Sequence, residues 1–297
     1  MHRLAQNALK GISFYATGIF MIVVMNSFAK LASDVHHPVE IVFYRNLAII
    51  LFLLGIIAAQ GRWQELKTKR PRAHLWRSLV GTFSVILVFY AYQYLPVADA
   101  TALLYAAPLI ITALSMPVLK EPVGLFRWAA VITGFIGVLV IVNPAGGGDA
   151  AGYIFGLAAA VTIAAVSLLV RDLGKTELPL TTVFYFMLIG LFVTAPAMIF
   201  IGQVPAPGMI GILLVVSIAG LAQQFLKTHA LAIAPAATLS PLQFTGLVWA
   251  VLFGFILFGD WPDTHIWIGG FIIIASNLFI IAREQIVKKR AASKALV

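Results

Sequence analysis

The residues able to do chemistry in this chain are few, and they recur at helical spacing. Ser217, Gly220, Gln224 and Lys227 fall along one helical stripe, as do Thr101, Tyr105, Pro108, Thr112 and Ser115. Thr238, Pro241, Thr245 and Trp249 repeat the arrangement, and Tyr90, Gln93 and Tyr94 share a face. Aromatic rings with a few amides suit an amphipathic solute that has a flat apolar part and a polar head. Serine, threonine and glycine also pack helices against one another in membranes. Tyr90, Gln93, Tyr105, Gln224 and Trp249 are therefore expected to line an interior cavity, with the Ser and Thr positions assigned to packing.

Two cations sit inside apolar stretches. A Lys or Arg at the bilayer centre costs roughly 2.5–3.5 kcal/mol on insertion scales, so each is a candidate for function. Arg45 can bind a substrate carboxylate, or pair with Glu40 or Asp99. Lys227 either joins the substrate site or snorkels to water from one turn inside its helix. His229, near the same end, reads as an interfacial histidine. Glu121 and Asp260 stand at helix ends, where each can close a gate by pairing with basic or amide groups or simply face water. No acidic residue lies deep in an apolar segment, so a carboxylate proton relay lacks support.

Enzymatic chemistry finds no foothold. The chain has no cysteine, no phosphate-loop spacing, no His-Glu-x-x-His and no Ser/His/Asp order within plausible reach. No cofactor or metal is implied. An intramembrane enzyme needs acid, base or nucleophile converging at one depth, and a receptor needs domains outside the bilayer; the chain offers neither.

The elements that must position these residues follow from composition. Of 297 residues, 61% are hydrophobic and only 10% are charged. Soluble domains run about 45–50% apolar and about 25% charged, so most of this surface must face lipid. Ten apolar segments stand out, at 11–31, 38–59, 76–95, 98–119, 124–142, 152–170, 180–201, 208–231, 236–258 and 264–284. Continuous runs of about 20 apolar residues are membrane-spanning helices rather than barrel strands. The first reads as a retained span rather than a signal peptide. Gly152 and Gly156 are expected to pack the sixth segment inside a monomer.

The formal charge of +9 is not a nucleic-acid footprint, because the basic residues cluster between apolar runs. With both termini placed in the cytoplasm, 17 of the 20 lysines and arginines fall on the inner side, Arg77 among them. Such bias predicts a multi-pass protein of the inner membrane.

The chain also repeats itself. A shift of 141 residues matches Gly11 with Gly152, Lys30 with Arg171, Pro38 with Pro179, and Val42-Phe43-Tyr44 with Val183-Phe184-Tyr185. A shift of 139 then matches Gly81 with Gly220, Pro96 with Pro235, Glu121 with Asp260 and Trp128 with Trp267. The expected units are residues 1–146 and 147–297. Each has five spans, an odd number, so the copies must be inverted in the membrane. The connector from Arg62 to Arg77 is strongly basic, whereas its counterpart from Gln203 to Gly208 carries no charge. The predicted fold is an all-α membrane protein of ten transmembrane helices in two inverted five-helix repeats. Inverted repeats are an architecture of alternating-access carriers, with the substrate site near the midplane between the copies.

Two five-span copies with this punctuation resemble the EamA-type members of the drug/metabolite transporter superfamily. In the first copy the resemblance rests on Tyr94-Leu95-Pro96-Val97-Ala98, Pro108, Lys120-Glu121-Pro122, Arg127-Trp128, Gly134 and Gly137. In the second it rests on Ile233-Ala234-Pro235-Ala236-Ala237, Gly259-Asp260 and Trp267-Ile268-Gly269-Gly270. The second copy departs from the pattern at Leu247, Asp260 and Ser276-Asn277. The resemblance implies a central cavity lined mainly by spans 1, 3, 4, 6, 8 and 9, with spans 5 and 10 peripheral. It implies transport of small organic metabolites: export of aromatic or other apolar amino acids first, and uptake of S-adenosylmethionine- or riboflavin-type cofactors as the alternative.

Overall fold

The computed structural model describes residues 2–119, 125–143, 149–233 and 239–294, and the described residues are helical apart from short connectors. The helices are α1 His2–Ala32, α2 Pro38–Gln60, α3 Pro71–Tyr94, α4 Val97–Leu104 and α5 Ala107–Leu119. There follow α6 Leu125–Val142, α7 Ala150–Leu173, α8 Pro179–Thr194, α9 Met198–Ile201, α10 Pro207–Ile233, α11 Thr245–Phe258 and α12 Thr264–Lys294. Eight helical stretches are long and apolar enough to cross a bilayer, and the shorter Val97–Ala113 and Trp128–Val142 fill the fourth and fifth places. Glu121, Pro235 and the junction at residue 146 lie outside the described residues.

Prolines break three of the spans. The fourth divides into α4 and α5 because Pro108 has no N–H and its ring crowds the carbonyl four residues back. The seventh breaks at a 3-10 turn, Ala195–Ala197, that contains Pro196. The ninth opens with the 3-10 segment Ser240–Phe244, which contains Pro241, before α11.

The packing has a pseudo-two-fold pattern. α1 packs on α10 and α3 on α7, while α2 packs on α8, α4 on α11 and α6 on α12. Exchanging each span with the one five later maps this set of pairs onto itself.

The matched Val-Phe-Tyr motifs show the inversion directly. Tyr44 donates its hydroxyl to the Gln203 carbonyl at 2.7 Å, in the connector before α10. Tyr185, its counterpart, donates to the Leu66 carbonyl at 3.1 Å, in the connector before α3. Each half thus holds the other half's connector with the same tyrosine. Gln203 lies at the start of α2 and Leu66 just beyond its end, and a 23-residue helix is about 35 Å long. The basic and the neutral connector therefore sit at opposite ends of the bundle.

Local chemistry fixes the start of α2 and couples it to the second half. Pro38 occupies the first turn, the His37 side chain accepts from the Val39 N–H, and Glu40 accepts from the His37 N–H. The other Glu40 oxygen accepts the Gln203 N–H at 2.7 Å. Gln203 is thus held at both its N–H and its carbonyl.

Candidate functional site

The broken helices bring the first group of candidate residues together. Tyr105 occupies the break between α4 and α5, eight residues or about 12 Å into the span. Its hydroxyl donates to the carbonyl of Gln243, in the broken start of the ninth span, at 2.9 Å. The Tyr105 ring meets Phe244 edge to face at 5.2 Å. Its own carbonyl accepts the Asn277 side-chain amide at 3.1 Å. Backbone freed from helical bonding inside a membrane is tolerated where protein or a cavity receives it, and discontinuous helices mark binding sites in inverted-repeat carriers.

Gly246, one residue into α11, makes this approach possible. A Cβ there would stand 2.6 Å from the Tyr105 hydroxyl and 3.2 Å from Ile19 of α1. One turn further along α11, Trp249 meets Phe20 of α1 edge to face at 5.0 Å, and Phe253 lies 5.9 Å from the same ring. Tyr105, Phe244, Trp249, Phe20 and Phe253 form an aromatic wall where α1, α4 and α11 meet.

Tyr90 and Gln93 lie elsewhere. The Tyr90 hydroxyl is 2.8 Å from His37 Nε2, and its ring stacks on Phe155 of α7 at 4.7 Å. Gln93 donates to the Ser33 carbonyl at 3.3 Å. Gln93 borders a recess of about 490 Å³ with Ser33, His36, His37, Glu40 and Gln203. Both residues thus belong to the end of the bundle where Glu40 and Tyr44 hold Gln203. Asp260 follows the left-handed Gly259 that ends α11 and returns its N–H to the Gly254 carbonyl at 3.1 Å. Lys30, which feels the Asp260 charge, lies over the Phe258 ring at 5.2 Å and donates to the Leu95 carbonyl at 2.7 Å.

Gln224 and Lys227 occupy the second half of α10 with neither side chain hydrogen-bonded nor ion-paired among the described residues, and Lys227 is exposed. Gly18 of α1 packs against α10 at Leu226, the Lys227 backbone and the Gln223 carbonyl. Arg45 is buried at 4% exposure, with Nη2 donating to Asn46 Oδ1 at 2.9 Å. Its guanidinium lies 6.0 Å from the Phe89 ring and 5.9 Å from the Phe186 ring.

Spacing alone missed several residues of this interior. Arg77 stands six residues inside α3 at 3% exposure, so it belongs to the bundle and not to the basic connector. It shares a seam with His74, Ser78, Thr82 and Ser84, all buried. The four-residue steps from His74 to Ser78 to Thr82 were the available signal. The Glu40–Gln203 contact carried no such signal, because it joins residues 163 positions apart.

Two inverted five-helix halves with broken spans meeting inside are the architecture of a membrane transporter. The chain belongs to the EamA-like transporter family, whose sequence pattern matches residues 9–143 and 150–282. It is 26% identical over 294 residues to an S-adenosylmethionine uptake transporter of Rickettsia prowazekii, covering 99% of each chain. It is 29% identical to a riboflavin transporter of Vibrio cholerae, over 95% of this chain and 96% of that one. It is 27% identical to the pseudopaline exporter CntI of Pseudomonas aeruginosa, over 90% of this chain and 94% of that one. A solved crystal structure superposes with a TM-score of 0.64 at 17% identity, covering 93% of this chain and 98% of that chain, and so shares the fold.

Proposed function

We propose that this transporter works by alternating access, with its two halves rocking about the aromatic junction of α1, α4 and α11. The observation that carries this reading is the Tyr105–Gln243 hydrogen bond of 2.9 Å, which joins the breaks of two symmetry-related spans. The Tyr44 and Glu40 contacts to Gln203 close one end when made and release it when broken, while the Tyr185 contact does the same at the other. The basic connector 61–70 faces the cytoplasm of an inner membrane, and both termini lie on that side. The halves meet between residues 146 and 147.

The substrate proposed, from the family resemblance, is an aromatic or other apolar amino acid, moved outward. Tyr105 and Trp249 take the flat part, Gln224, Arg45 and Lys227 take the head, and Tyr90 and Gln93 line the approach. Glu121 and Asp260 act at opposite gates. Relatives named for S-adenosylmethionine and riboflavin transport favour a second reading, uptake of a flat nucleoside- or flavin-type cofactor. Counterflow in proteoliposomes, with amino acids, S-adenosylmethionine and riboflavin as separate arms, decides between them. Exchange of tryptophan or leucine alone supports the first reading, exchange of S-adenosylmethionine or riboflavin alone the second, and no exchange in any arm overturns both.

A further inference from the structure

Arg45 and Arg77 stand 4% and 3% exposed, and both lie beside the Phe186 ring. The Arg77 guanidinium lies 3.8 Å from the centre of that ring. Among the described residues neither arginine pairs with a carboxylate. Among the described residues Arg77 Nε and Nη1 have no hydrogen-bond partner, nor do Asn46 Nδ2, Ser78 Oγ and Thr82 Oγ1 beside them. Glu40, the acid nearest in sequence, is committed to Gln203 and His37. A buried cation is ordinarily paired, and unmade hydrogen bonds at buried donors cost the full desolvation of those groups.

The surroundings are built to hold these groups close. A Cβ on Gly81 would meet Phe186 at 2.9 Å and Arg77 Nη1 at 3.1 Å. A Cβ on Gly190 would meet Asn46 Nδ2 at 2.6 Å and Thr82 Oγ1 at 2.8 Å. The cluster also has an approach. A Cβ on Gly220 of α10 would stand 3.8 Å from the Arg45 side chain, and Gln224 and Lys227 continue the same face for two turns. An exposed lysine, a free amide and a buried arginine are thereby laid in sequence.

We propose that Arg45 and Arg77, with Asn46, Ser78 and Thr82, form a binding site for an oxyanion, supplied by the carboxylate of the transported solute. The proposal rests on the carrier reading. It narrows the substrate class to anionic or zwitterionic compounds, for guanidinium forks match carboxylate oxygens two at a time. Lys227 and Gln224 guide the head group inward, and the Phe186 ring beside both guanidiniums gives way when the anion enters. An inorganic anion offers the same chemistry and is the second source to be distinguished.

Thermal melts of the purified full-length protein in Tris–HEPES buffer, free of carboxylates and inorganic anions, provide the test, with benzoate, benzamide, chloride and inorganic phosphate as probes. Benzoate should raise Tm by about 2–4 °C and benzamide should not. Arg45→Gln and Arg77→Gln should each weaken benzoate binding about 30-fold or more, while Arg72→Gln, at the exposed start of α3, keeps the response. Arg77→Met should melt higher than wild type without probe, because it removes an uncompensated charge; an arginine with a structural role would melt lower. A benzoate shift that survives saturating chloride and phosphate assigns the site to the solute's carboxylate, and a shift from the inorganic anions alone assigns it to an ion. Equal shifts with benzoate and benzamide, or none with any anion, overturn the site even if the variants fail to fold. Counterflow by a wild type without an anion response would leave the carrier standing and remove only this site. An anion response without counterflow of any compound would do the reverse.

Discussion

Arg45 lies over the ring of Phe186, its own counterpart in the second half, with 5.9 Å between guanidinium carbon and ring centre. The 141-residue shift that relates the halves thus brings a cation to one side of the pseudo-two-fold axis and an aromatic ring to the other. α2 and α8 cross at that axis, so a residue there can face its own repeat partner. Arg77 takes the same ring at 3.8 Å. Phe186→Leu keeps most of the apolar volume and removes the ring electrons that both cations face. It should destabilise the protein by about 0.5–2 kcal/mol, seen as a lower Tm without loss of expression. A Tm at or above wild type would mean the stacking contributes nothing.

Tyr44 and Tyr185 should behave as a matched pair with opposite consequences. Replacing either by Phe deletes one hydroxyl and costs about 0.5–1.5 kcal/mol. Tyr44→Phe loosens the Gln203 end, and Tyr185→Phe loosens the Leu66 end. Thiol labelling of single cysteines placed at Val204 and at Lys67 reads the two ends separately. Each variant should raise labelling at its own end; equal effects of both variants at one end would contradict the opposed geometry.

Ten spans were legible because a bilayer demands a fixed run of apolar residues and tolerates no other secondary structure of that composition. The inverted halves were legible from Val42-Phe43-Tyr44 and Val183-Phe184-Tyr185, since matched aromatic positions rarely recur in one order by accident. Pro108 and Pro241 appeared on polar stripes, but that their spans break and bond to each other depends on how α4 and α11 cross. Arg77 was hidden by its neighbours, for it follows Lys67, Lys69, Arg70 and Arg72 and read as the end of a basic connector. Only the helix start at Pro71 places it inside. Tyr90 shares a face with Gln93, yet both sit near His37, because periodicity fixes direction around a helix and not the depth of its partners.

α6 and α12 meet through reciprocal glycines, and this contact admits no added methyl group. A Cβ on Gly137 would stand 2.8 Å from the Gly269 carbonyl, and one on Gly269 would stand 2.6 Å from the Gly137 carbonyl. Both obstacles are backbone, which cannot rotate away as a side chain does. Gly269→Ala should cost about 1–3 kcal/mol by forcing the helices apart. Gly211→Ala, where nothing lies within 4 Å, should leave Tm unchanged. Equal melting of the two variants would remove the close crossing.

Acid should weaken the end of the bundle near α7 and α8. Burial pushes the Glu177 carboxyl up, but the His74 ring 3.2 Å away and the hydrogen bond from Thr68 outweigh this and hold it below the usual range. A carboxyl depressed on folding adds stability above its unfolded value, near 4.3, and loses it as pH falls through the folded value. Wild-type Tm should therefore drop between about pH 5 and about pH 3, and Glu177→Gln should flatten that part of the profile. Its Tm at neutral pH should be the lower of the two. Superimposable profiles would show that Thr68 and His74 hold the connector without the charge.

The aromatic junction makes a demand on transport that packing alone would not. Tyr105→Phe deletes the bond to Gln243 but keeps the ring against Phe244, so it should insert normally and lose no more than about 0.5–1.5 kcal/mol. Trp249→Ala empties the space beside Phe20 and should change which counterflow substrates are accepted. If the hydroxyl joins the two breaks only while the spans are closed on each other, Tyr105→Phe alters the exchange rate and leaves apparent affinity near wild type. Trp249→Ala does the opposite, moving affinity by about tenfold for substrates with a flat ring and little for those without one. Rate and affinity measured on the same proteoliposome preparations separate the two roles. Unchanged values for both variants would place the path of the solute somewhere other than the meeting of α1, α4 and α11.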